Sequence, residues 1–383
     1  MTTQQRSAVW LLGTCQCVLW GVLYYSFSVL LVPIERELGL SRAVVAGAFS
    51  CALLTMALLA PAVGRRLDAG EARRLLRTGA AVAVLGLVLL GFAANALMLY
   101  AAWCVVGVAM AALLYEPAFA LVTRALADHE QRLRALAAVT VMGGLASTVF
   151  LPLLSWTVQH WGWRPTVAVC VAAVLVAAVA LEARVLPGLR PDTPPAPRPP
   201  RTRAPWPRHL PTLAAVFATG TLAAMAVTTL LIPLMLARGA SPLVAGLALA
   251  AMGIAQLPGR IWLLRSRPRT GGALHLGPIV LQAVGLAVVV LPTSPWLIAF
   301  GVASFGVGAG LQTLVRPWLV QRLYGEAEAG RWNGEVARVQ GFARAAGPVA
   351  VAALATLTGT AWALGAVAAL LALSLLLARR LPV

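Results

Sequence analysis

The sequence predicts an all-α integral membrane protein, with twelve transmembrane helices arranged as two pseudo-symmetric six-helix bundles. Three observations carry that prediction. Hydrophobic residues make up 60% of the chain and charged residues 11%, with a mean hydropathy of +0.86, whereas soluble domains carry about 25% charge. Apolar runs of about 20 residues, enough to cross ~30 Å of hydrocarbon as a helix, recur twelve times. A proline-rich segment parts the first six runs from the last six, and the two sets read as copies of one another.

The first run, 8–32, is too long for a signal-peptide core and lacks a small-residue cleavage pattern, so it is read as a retained helix. It contains Gln16, Tyr24 and Tyr25. Runs two to six cover 43–63, 78–94, 96–121, 135–157 and 166–186. The fourth contains "LLYEPAFALVTR", in which Glu116 stands directly before Pro117 inside apolar sequence. Next comes "PGLRPDTPPAPRPPRTRAPWPRH", residues 187–209, whose prolines exclude a regular helix and favour an extended, solvated linker.

The second half repeats the scheme. Its runs cover 210–236, with Thr228, then 243–264, 273–291, 296–320, with Gln312 and Arg316-Pro317, 335–356, with Arg338, Gln340 and Arg344, and 361–380. The organisation is a bundle over 1–186, a linker over 187–209 and a second bundle over 210–383.

Charge fixes the expected orientation, because short cytoplasmic loops collect basic residues and exported ones do not. All thirty basic residues are Arg, and only Arg36, Arg42, Arg164 and Arg238 fall on the side assigned as external. Both termini and the linker are therefore expected in the cytoplasm of a multi-pass protein of the cell inner (plasma) membrane, and the Arg-only, Ala-rich composition fits a high-GC bacterium. The net charge of +18 follows from this topology and from attraction to anionic membrane lipids, so no nucleic-acid partner is expected. Cys15, Cys17, Cys51, Cys104 and Cys170 all lie in apolar runs and read as small buried thiols rather than metal ligands.

The halves also align. "LVPIERELGLSRAVVAG" parallels "LIPLMLARGASPLVAG", so that Pro33, Gly39 and Ser41 recur as Pro233, Gly239 and Ser241, and "APAVGRRL" parallels "QLPGRIWL". The six-plus-six count, the basic central linker, the loop "GRRLDAGEARRLLR" after run 2 and "HWGWRPT" before run 6 resemble the major facilitator superfamily. "GGLASTVFLPLLSW" in run 5 lacks the Gly-Pro signature of drug/proton antiporters, and the sequence resembles more the monocarboxylate and organic-anion branch. The resemblance implies two bundles that expose a central site alternately to each side. It also implies a gate-stabilising role for Asp68, Arg73 and Arg74 in the loop after run 2, although the second copy keeps Gly259 and Arg260 and has Leu263 where the aspartate would stand.

A charge at the bilayer centre costs roughly 2.5 to 3.5 kcal/mol on insertion scales, so an intramembrane charge faces a partner or a wet cavity. Glu116 and Arg316 hold matching places before matching prolines, which remove a helix hydrogen bond and permit a bend. They are expected to pair as a gate in one state and part in the other. Arg344 lies about ten residues into run 11, roughly 15 Å by helical rise and too deep to snorkel easily. Its guanidinium can grip a carboxylate with two parallel hydrogen bonds. Gln16, Tyr24, Tyr25, Thr228, Gln312, Arg316 and Gln340 are the further candidate substrate contacts.

The expected function is secondary active transport of a small organic anion or amphipathic metabolite, coupled to protons through Glu116, by a monomer without a cofactor. The sequence has no P-loop, and His129, His160, His209 and His275 lack metal-site spacing, so an enzyme is not expected. Efflux of cationic or neutral drugs is the alternative, and a non-transporting receptor on the same fold is the third reading.

Overall fold

The computed structural model describes residues 1–126, 128–190, 207–265, 273–291, 295–325 and 327–382. Twelve helices follow the twelve apolar runs. In the first half they are α1 (Thr3–Leu38), α2 (Arg42–Asp68), α3 (Ala72–Gly91), α4 (Ala96–Ala125), α5 (Glu130–Trp161) and α6 (Trp163–Gly188). In the second they are α7 (Leu210–Ala237), α8 (Pro242–Ile254, continuing as Gln256–Arg265), α9 (Ala273–Val290), α10 (Pro295–Tyr324), α11 (Ala329–Thr358) and α12 (Thr360–Ala378). Among the described residues eleven are long and apolar enough to cross a membrane, and α9 is the short one, with an apolar stretch of His275–Val290. α6 carries helix into the first residues expected to be linker, while 191–206 lie outside the described residues.

The chain divides into two compact units, Met1–Pro199 and Pro200–Val383. Each repeats the same first corner. α1 and α7 end at Gly39 (φ 63°) and Gly239 (φ 83°), backbone conformations that only glycine adopts without strain. Two residues on, Ser41 and Ser241 accept from the Val44 and Val244 amides at 3.4 and 3.3 Å and so start the next helix.

Within each unit small residues let helices meet at the backbone, as helices in lipid require. A Cβ on Gly107 of α4 would lie 2.4 Å from the Ala52 carbonyl of α2, and one on Gly306 of α10 would lie 2.5 Å from the Met252 carbonyl of α8. The outer surface suits a hydrocarbon solvent. Leu58, Val176, Leu247 and Phe300 are all more than half exposed, and Trp161, Trp296 and Trp362 stand exposed at helix ends, where interfacial tryptophans collect.

Candidate functional site

The proline beside Glu116 breaks its helix. Pro117 has no N–H to offer the carbonyl four residues earlier, and α4 divides there into Ala96–Leu113 and Tyr115–Ala125, with Leu114 at φ −74°, ψ −155°. The carbonyl so released is that of Leu113. Gln16 of α1, 1% exposed, donates its Nε2 to that carbonyl at 2.8 Å. Gln16 thus satisfies the break, and this is its role in the structure. Glu116 lies half-buried in the first turn of the second segment, where the helix dipole favours a carboxylate.

Around this break the first unit gathers aromatic rings. α1 makes a π-helical turn over Gly21–Tyr25, a local widening often found at functional sites. Trp20 lies 5.2 Å from Tyr24 and 4.9 Å from Tyr115, and Tyr24 lies 5.1 Å from Tyr25 and 5.4 Å from Phe49. Phe27 and Phe49 stack in parallel at 4.2 Å over the buried Trp103, and Tyr115 stacks on Phe119 at 5.1 Å. Of these eight rings only Tyr24 and Tyr25 were expected as site residues. The aromatic spacing 20, 24, 27 along α1 was the available signal; the partners from α2 and α4 leave none in the sequence.

The second unit builds with amides and arginine instead. Arg316 donates to Gln340 Oε1, and Gln340 Nε2 donates to Thr221 Oγ1 at 2.9 Å and to the Phe217 carbonyl at 3.2 Å, joining α10, α11 and α7. Gln282 Nε2 donates to Gln312 Oε1 at 3.0 Å, joining α9 to α10. Gln312 occupies the space beside Gly220, where a Cβ would lie 2.1 Å from its amide nitrogen. Thr221 and Gln282 were not anticipated, and Thr228, expected as a contact from its depth alone, is exposed and bonds back to its own helix at Ala224 and Met225.

Arg344 lies one turn beyond Gln340 on α11 and is half-buried. Among the described residues its guanidinium has no hydrogen bond or ion pair. Arg338 is different, because Glu335 neutralises it at 2.7 Å.

At the helix ends the arginines are engaged. Arg73 and Arg77 of α3 hold Glu182 of α6, each through a 2.9 Å contact, while Arg74 is exposed. Asp68 accepts at its main-chain carbonyl from Arg124 of α4, and Arg260 of α8, 4% exposed, donates to Gln256 at 3.1 Å and to the Gly310 carbonyl of α10 at 3.4 Å. At the opposite end, Glu37 takes Trp163 and Arg164, and Arg164 also bonds the Gly91 and Ala93 carbonyls that close α3. The five cysteines are free thiols.

Comparison with known proteins agrees with this architecture. The Major Facilitator Superfamily model matches residues 9–334. Among solved structures the chain is similar to the human organic anion transporter MFSD10 (TETRAN), with TM-score 0.76 at 14% identity over 99% of this chain and 100% of that one. It is also similar to the proton:xylose symporter XylE bound to 6-bromo-6-deoxy-D-glucose, with TM-score 0.75 at 13% identity over 98% and 95%. No curated protein matches by sequence. At these identities the structures speak for the fold, and the family match speaks for descent: the chain belongs to the major facilitator superfamily, whose members are secondary transporters working by alternating access.

Proposed function

We propose that this transporter moves a small amphipathic organic anion, coupled to protons. The observation that carries the reading is Arg344: a half-buried arginine on an apolar helix, with no partner among the described residues, is a fixed positive charge available to an anion. The aromatic band of the first unit supports an apolar or ring-bearing body on the solute, and the amides of the second unit suit its polar groups. Glu116 is the proposed proton carrier. Its matching place to Arg316 makes the two a proposed gate pair, for which partial rescue of Glu116→Arg by Arg316→Glu is the expected result.

A thermal-shift panel tests the substrate class. Carboxylates with an aromatic or branched apolar body should stabilise the purified protein, and their matched amides should not. Stabilisation by lipophilic cations alone would instead support the alternative of drug efflux, which the juxtaposition of Glu116 with Tyr115 and the rings around it favours. The proposed orientation, with both termini cytoplasmic in the cell's plasma membrane, is checked by reporter fusions at His209 and Val383.

A further inference from the structure

Away from Arg344, the second unit has a partly open cavity between α7, α9, α10 and α12, with about 10 Å³ open to the centre of a water molecule. Its walls are mostly apolar, formed by Val216, Pro278, Ile279 and Leu319 among others, but Gln312 and His275 also face it. Both are 7% exposed. Gln312 gives its Oε1 to Gln282, so its Nε2 is left as a buried donor with no partner. His275 Nδ1 is likewise buried without a partner.

Two unpaired buried nitrogens thus belong to residues that line the same small space. A buried polar group left unmet is destabilising, and a volume of about 10 Å³ is the lower limit for one water. We infer that the cavity is a binding site for a single water molecule, which accepts from Gln312 Nε2 and hydrogen-bonds His275 Nδ1. The water completes a polar chain from Gln282 through Gln312 to His275, tying α9 to α10. An apolar guest leaves both groups unmet. The site shares Gln312 with the amides proposed for the solute, but neither His275 nor the water is asked to touch solute.

An experimental structure at a resolution that shows ordered water tests the inference on the full chain. The expected result is one density peak within hydrogen-bond distance of both atoms. His275→Asn, whose Oδ1 can stand near the place of Nδ1, should keep the peak, and His275→Leu should lose it and melt lower than His275→Asn by about 2 to 4 °C. An empty cavity in the wild type overturns the inference. So does a wild-type structure in which Gln312 Nε2 and His275 Nδ1 are bonded to protein groups, or a peak that survives unchanged in His275→Leu.

Discussion

α4 and α10 begin from the same sequence idea and end as different objects. Each carries a charged residue before a proline, Glu116-Pro117 and Arg316-Pro317, yet α4 breaks at Leu114 while α10 runs unbroken from Pro295 to Tyr324. The difference lies in what stands opposite. Gln16 is present on α1 to take the carbonyl that Pro117 releases, whereas the same offset on α7 holds Val216, which has no donor to give. A proline only removes a bond; a neighbouring side chain decides whether the chain can open there.

The same divergence runs through both halves. Trp20, Tyr24, Trp103 and Tyr115 of the aromatic band are matched at the same offset by Gly220, Ala224, Ala303 and Val315. Conversely Gln282, Gln312 and Arg344 are matched by Val82, Ala112 and Gly144. One copy has become a surface of rings and the other a polar network, on one shared backbone plan. Structural tasks survived the divergence by changing hands. The end of α3 is capped by Arg164 from α6, and the end of α9 by Arg238 from α7, which donates to the Val289 and Val290 carbonyls.

The largest expected effect that sharpens this contrast is on coupling. Glu116→Gln removes the carboxylate assigned to the proton while Arg316 stays in place, so substrate-driven proton flux in proteoliposomes should vanish with binding retained. If Glu116→Gln still moves protons with substrate, the chemical division between the copies is wrong at this position. Next in size is the break itself. Gln16→Leu leaves the Leu113 carbonyl buried and unmet, a cost of about 1 to 3 kcal/mol, and should lower the melting temperature clearly. In a Pro117→Ala background the helix N–H is restored, so the same change should cost little; equal losses in both backgrounds would show that Gln16 does not serve the proline.

Smaller effects are expected from the exchanged caps. Arg164→Gln and Arg238→Gln each remove donors from the end of one helix, and each should cost on the order of 1 kcal/mol because the groups are partly solvated. Arg164→Gln should cost slightly more, since Glu37 also loses its 2.8 Å partner. Thermal melts of the two variants compare them directly, and a larger loss for Arg238→Gln would reverse the order.

Much of this plan is legible in the sequence for a physical reason. Hydropathy over about 20 residues, glycine at a left-handed turn and serine at a helix start are local signals, so the twelve helices and the corners at Gly39 and Gly239 can be read directly. Glu116 and Arg344 are conspicuous because charge in an apolar run is rare. What cannot be read is partner choice between helices. Gln16 looks like a polar wall residue until Leu113 is seen beside it, and Thr228 looks available until its hydroxyl is found bonded to its own turn. These are tertiary contacts between residues far apart in the chain, and single-sequence patterns do not encode them.

The claim that the second copy supplies the anion-binding charge is tested most directly by measuring, by titration calorimetry, the affinity of the wild type, Arg344→Lys and Arg344→Gln for a carboxylate that stabilises the wild type. A lost charge-assisted, two-pronged contact is worth about 1.5 to 3 kcal/mol, so Arg344→Gln should bind roughly ten- to a hundredfold more weakly or not at all. Arg344→Lys, which keeps the charge without the planar fork, should fall between. Wild-type affinity in a folded, monodisperse Arg344→Gln would contradict the account.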